Sequence, residues 1–176
     1  FEGGQRVPFI MNWPGHVPAG KTYNGLTSTM DIFPTSFKLG GGIKTPRPLD
    51  GVDLMPFLTG TAAAIPHQNL FLKKLEGSAV RSGNWKMIQT QGLPTMLYNL
   101  QTDLSEYKNI AEQHPEKVKE LQTLYRGWDK QTVPAQWGEA ERYVEVRRND
   151  YIRFRDSGRP LKLNSPRKKK SKKPKK

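Results

Sequence analysis

The segment Ser78-Ala79-Val80-Arg81-Ser82-Gly83-Asn84-Trp85-Lys86-Met87-Ile88-Gln89-Thr90 decides how the second half of this chain folds. Two strand-like runs, 78–81 and 85–90, flank a Ser-Gly-Asn turn signal, the pattern of a hairpin. Residues 69–75 and 95–100 have similar composition on either side, with Gly77 and Gly92 as further punctuation. Together the four runs predict an antiparallel meander. Downstream, His114-Pro115-Glu116 opens a helix with proline at its first position, and Val118, Leu121, Leu124, Tyr125 and Trp128 make one apolar stripe. A four-stranded sheet cannot bury a face alone, so this helix is its expected cover. Trp85, Tyr98 and Trp128 fall at core positions and are expected to pack between sheet and helix.

The first part of the chain reads differently. Val7, Phe9, Met11 and Trp13 alternate, with Ile10 adding apolar character to the second face, which predicts a strand over 6–13. Residues 13–20, WPGHVPAG, carry two proline-containing turn signals and predict a surface loop. Ser28 and Asp31 have capping-box spacing, with Asp31 itself a possible cap and Pro34 in the first turn. Ile32, Phe33 and Phe37 give that helix an apolar face, and Gly40 to Gly42 end it. Residues 43–60 are irregular apart from a helical turn around 53–58. A further helix is expected over 139–148.

Composition bounds the rest. The chain has 176 residues, 35% of them hydrophobic, with 16 Gly and 14 Pro, which favours a loop-rich mixed architecture. It contains no Cys, so disulfides and thiolate metal sites are excluded within it. No apolar run is long enough for a membrane helix. The formal charge of +13 is unevenly spread: Arg167, Lys168, Lys169, Lys170, Lys172, Lys173, Lys175 and Lys176 supply eight of those charges, leaving +5 elsewhere. That tail is expected to be disordered and to attract polyanions such as nucleic acid, an acidic membrane or a sulfated polysaccharide. It offers no aromatic ring for base stacking.

Six blocks, in order, resemble the C-terminal portion of a type I sulfatase of the alkaline-phosphatase-like superfamily. They are Glu2-Gly3-Gly4-Gln5-Arg6-Val7-Pro8-Phe9-Ile10, Trp13-Pro14-Gly15 with Pro18-Ala19-Gly20, and Ser28-Thr29-Met30-Asp31-Ile32-Phe33-Pro34-Thr35. Asp50-Gly51-Val52-Asp53-Leu54, Ala79 to Lys86, and Leu97 to Asp103 with Glu106 and Asn109 complete the set. Leu104 stands where the family usually has Pro, and Asn99 where Asp is commoner.

The resemblance implies an α/β protein in which 1–60 end the large catalytic domain, supplying its last strand and helix. A small subdomain of about four antiparallel strands and a helix would follow over 61–132. A polar extension (133–158) and the basic tail (159–176) would complete the chain. It also implies hydrolysis of aryl or carbohydrate sulfate esters with a formylglycine and a calcium ion, in an exported parent enzyme. A cation suits that chemistry because charge develops on the sulfate oxygens in the transition state. The family's Cys/Ser-x-Pro-x-Arg motif and its metal-ligand pairs do not occur here; Ser165-Pro166-Arg167 has the wrong spacing. Chemistry and metal are therefore expected upstream of Phe1, with no catalytic or metal residue in this chain and no turnover by it alone.

Three residues are candidate contacts to a substrate anion: His67, Arg81 and Lys86, since a guanidinium or ammonium matches sulfate or carboxylate geometry. Ion pairing within the sheet is the competing role. Asp31, Asp50 and Asp53 read as capping and turn residues, His16 as an exposed loop residue, and His114 as a capping or surface residue. Two rival readings are a non-catalytic polyanion-binding module and a related phosphonate or phosphodiester hydrolase.

Overall fold

The computed structural model describes residues 1–74, 77–134 and 141–157. A single turn, α1 (Glu2–Gln5), is followed by irregular chain, a 3-10 turn (Thr29–Asp31), α2 (Ile32–Leu39) and α3 (Met55–Leu58). Strands β1 (Asn69–Lys73), β2 (Gly77–Ser82), β3 (Trp85–Thr90) and β4 (Met96–Asn99) come next, then α4 (Pro115–Asp129) and α5 (Glu141–Ser157). The strands form one antiparallel sheet in chain order. The protein is thus mixed α/β, with the expected meander.

The hairpin is set by its two-residue turn. Ser82 pairs with Trp85, Arg81 with Lys86 and Val80 with Met87. Gly83, the first central residue, takes φ 54°, a sign that a glycine adopts without steric cost in such hairpins. Gly77 begins β2 rather than serving as the expected turn residue. Its missing Cβ lets the Gln89 carbonyl approach closely.

Alternation then sorts the side chains into two faces. Val80, Met87 and Leu97 lie on one, fully buried against Leu121 of α4, with Phe71, Trp85, Val118, Leu124 and Tyr125 around them. Phe71 stacks on Trp128 with ring centroids 5.1 Å apart. Leu121→Ala should cost about 2–5 kcal/mol, because it leaves a cavity where helix meets sheet; urea unfolding measures it. The opposite face carries Ala79, Ile88, Met96, Tyr98 and Leu100, with Phe1 and Tyr151 of α5 packed on it. Tyr98 therefore packs on the side away from α4.

At the far end of α4, Lys73 donates a hydrogen bond to Asp129, holding that carboxyl below its ordinary value of 3.8. A depressed carboxyl favours the folded state above its ordinary value, and that contribution disappears as pH falls through the folded one. Asp129→Asn should remove this part of the acid sensitivity seen in thermal melts below about pH 4.

Residues 6–13 do not form the expected strand. Alternation describes faces, but a strand also needs a ladder partner for its backbone groups. None of the four described strands pairs with this segment. The helix after Ser28 is present with both capping-box bonds: Ser28 N–H donates to Asp31 Oδ2 at 2.7 Å, and Met30 N–H to Ser28 Oγ at 3.3 Å. The helix expected over 139–148 runs over 141–157. Tail residues Arg167 to Lys176 lie outside the described residues.

Asp31 does more than cap. Fully buried, its Oδ1 also accepts from Val52 N–H at 2.9 Å and lies 2.7 Å from His67 Nε2. Thr35 donates to the Asp31 carbonyl and accepts from Leu54 N–H. One carboxylate thereby ties α2, the 50–54 loop and the approach to β1. Gly51 sits against the backbone here, where a Cβ would overlap the Met30 carbonyl. Gly51→Ala should therefore lower the melting temperature by several degrees, a loss on the order of 1–3 kcal/mol.

Candidate functional site: a buried charge cluster

Arg81 and Lys86 are direct cross-strand partners, so their side chains leave the same face of the sheet. The next residue in that row is Tyr98, opposite Lys86. Two like charges so placed repel each other, and Lys86 is only 1% exposed. The arrangement requires acids, and two distant segments supply them.

Glu2 is the first. Its Oε1 accepts from Lys86 Nζ at 2.9 Å and its Oε2 from Arg81 Nη1 at 3.2 Å. Glu106 is the second: its Oε1 lies 2.9 Å from Lys86 Nζ, a close ion pair outside hydrogen-bond alignment. Glu106 Oε2 also accepts from the Glu2 backbone N–H. Two cations and two carboxylates therefore neutralise each other. Burial and the neighbouring negative charges of Glu106 and Asp103 push the Tyr98 phenol well above its usual range, so it stays neutral.

Glu106 reaches this position at a conformational cost. It has φ 57°, the sole non-glycine residue with positive φ among the described residues. The turn before it is held by side chains from the Leu97–Asn109 block. Asn99 Oδ1 accepts from Gln101 N–H, while the Asp103 carboxylate accepts from Tyr107 and Lys108 N–H. Asn109 Oδ1 accepts from Leu97 and Ala111 N–H, extending the β4 edge with a side chain. Leu104, in place of the family's usual Pro, is exposed and enters none of these bonds.

The three candidate anion contacts occupy different settings. Lys86 is enclosed by Glu2 and Glu106; Arg81 is paired with Glu2, but its side chain keeps 25% exposure. His67 lies elsewhere, against Asp31. A His67 tautomer carrying its proton on Nε2 would donate to the Asp31 carboxylate there. His114 makes no side-chain cap and instead meets the Trp85 ring edge-on at 5.2 Å. Asp53 starts α3 as expected, accepting from Met55 N–H. His16 stacks on Trp13 at the surface.

Sequence reasoning did not identify Glu2 and Glu106 as the partners. The available signal was the Gly83-Asn84 turn, which forces residues 81 and 86 to face each other and thus demands an acid. Among the described residues, no group of three or more His, Asp or Glu could hold a metal ion. The chain also has no Cys, and no Ser in a Ser-x-Pro-x-Arg context, to become a formylglycine. These residues do not fit either group, so no chemical step through them follows from this chain. No described helix is long and apolar enough to cross a membrane.

The chain thus forms one antiparallel sheet covered on one face by α4, with the Glu2–Gln5 turn docked on the other. A solved Bacteroides thetaiotaomicron structure described for metabolism of multiple glycosaminoglycans aligns over 73% of this chain and 30% of its own. That match has 29% identity and TM-score 0.63. Residues 1–127 match the family model "N-sulphoglucosamine sulphohydrolase, C-terminal", and the chain belongs to that family. Bovine arylsulfatase A is 32% identical over 163 residues, covering 73% of this chain and 32% of the relative. Human arylsulfatase D is 47% identical over 72 residues, 40% of this chain and 12% of the relative. Human steryl-sulfatase has the same identity and coverage. The chain therefore spans about a third or less of these relatives.

Proposed function

We propose that this chain is the C-terminal part of an enzyme that hydrolyses sulfate esters of aryl or carbohydrate substrates. The observation that carries the reading is the family match over residues 1–127, which includes the E-G-G segment and the sheet it docks on. The relatives named above are sulfatases, and their printed names include aryl and steryl substrates. In this reading residues 1–60 complete the large α/β domain, 61–132 form the small subdomain, and 133–158 with the 159–176 tail follow as extensions. Sequence outside these 176 residues would supply the formylglycine and the calcium ligands. The formylglycine would provide the nucleophile and calcium would offset charge on the sulfate.

Within this chain, the proposed work is structural support of the pocket plus one contact. Arg81 is our candidate for meeting the substrate anion, because its guanidinium is partly exposed beside the docked turn. Lys86 and His67 would act behind it, holding Glu2 and Asp31. The reading is further supported by apolar side chains on residues 1–60 that suit contact with a larger domain, among them Ile10 at 86% exposure and Ile43 at 91%. An exported parent agrees with the family resemblance. The tail would add polyanion attraction.

The test is hydrolysis of 4-nitrophenyl sulfate, with 4-nitrophenyl phosphate and a phosphonate monoester alongside. The full-length protein should release nitrophenol from the sulfate, and the 176-residue chain alone should not. Faster cleavage of the phosphate or phosphonate would replace the sulfatase reading. Arg81→Ala should raise KM for the sulfate about tenfold, the loss of one charge-assisted hydrogen bond.

A further inference from the structure

We propose that Glu2 is a positioning residue: its carboxylate, seated on Lys86 and Arg81 and backed by Glu106, fixes the Glu2–Gln5 turn to the sheet. Three observations carry this. Lys86 is almost wholly enclosed and has two carboxylates on one ammonium, so it is built to receive a second acid after Glu106. Glu106 contacts Glu2 twice over, through the shared Lys86 and by accepting the Glu2 backbone N–H, which specifies the turn's backbone as well as its charge. Glu106 also holds a left-handed backbone conformation, a strained arrangement that persists only where surrounding structure enforces it.

The site is therefore a carboxylate receptor whose ligand is a residue of the same chain, 84 positions from Lys86. The turn it fixes continues directly into residues 6–13, which no described strand pairs with. Position there rests on the docked turn, where Arg6 N–H donates to the Glu2 carbonyl and Gly4 N–H to that of Phe1. The latch itself stands independently of the sulfatase reading; its effect on turnover rests on that reading.

Amide hydrogen exchange on the full-length protein tests the latch. In Glu2→Gln the Gly4 and Arg6 amides should exchange at least tenfold faster, while amides of β2, β3 and β4 stay within twofold. Unchanged exchange at Gly4 and Arg6 overturns the proposal, and so does an equal rise throughout the sheet, which marks general destabilisation. If Glu2→Gln does not fold, Glu2→Gln combined with Lys86→Met leaves Arg81 and Glu106 balanced. That double variant should fold with the turn still fast-exchanging; slow exchange there overturns the latch.

With 4-nitrophenyl sulfate, positioning predicts a kcat at least tenfold lower with KM within threefold. A raised KM with unchanged kcat would instead mean that Glu2 serves only to set the Arg81 substrate contact, and would overturn its positioning of the turn. Wild-type protein that cleaves no sulfate ester defeats the sulfatase reading alone, and exchange then decides the latch.

Discussion

Lys86→Met lowers the unfolding free energy by about 3–5 kcal/mol, the loss expected when one partner is removed from a buried ion pair. Methionine preserves most of the stem volume, so packing changes little and the effect is electrostatic. What remains is two carboxylates, Glu2 and Glu106, facing the space once held by one ammonium. Glu106 is 1% exposed and Glu2 5% exposed, so water cannot readily replace the lost partner. Removing Glu106 as well, in Lys86→Met with Glu106→Gln, leaves Glu2 with Arg81 and should recover part of the loss. Urea unfolding of the two variants gives the comparison. A Lys86→Met variant within about 1 kcal/mol of the wild type would mean that the cluster relaxes into solvent.

Asp31→Ala ranks next, at about 3 kcal/mol or more. The loss of a helix cap accounts for about 1 kcal/mol. Stranding the Val52 N–H and the His67 ring adds about 1–3 kcal/mol for each buried group left unsatisfied. The prediction is specific about location: α2, residues 50–54 and the approach to β1 should loosen together, because they share this one carboxylate. His67→Ala should cost less, since it leaves both backbone bonds intact. Equal losses from the two variants would show that the carboxylate serves His67 alone.

The two clusters differ in how far the sequence exposes them. Asp31 stands three residues after Ser28, and that spacing alone predicts the cap. Its bonds to Val52 and His67 bridge 21 and 36 positions and leave no local trace. Arg81 and Lys86 were identifiable as cations of the sheet, and the hairpin places them opposite each other. The acids that answer that charge, Glu2 and Glu106, come from other segments of the chain, and no local spacing selects them. A strand over 6–13 was likewise expected from alternation, but pairing is a property of two segments and the second is not among the described strands.

Turn chemistry and side-chain spacing were sufficient to specify the four-strand meander, the helix that covers it, the cap at Ser28 and the turn at Asp53 that leads into α3. Each of these depends on neighbours within a few residues, where backbone sterics and hydrogen bonding act directly. The second covered face of the sheet, the neutralisation of Lys86 by Glu2 and Glu106, and the absence of a strand after α1 were decided by assembly in three dimensions. A buried charge selects its partner by distance in space, and the chain between Glu2 and Lys86 places no constraint on that choice until the sheet has formed.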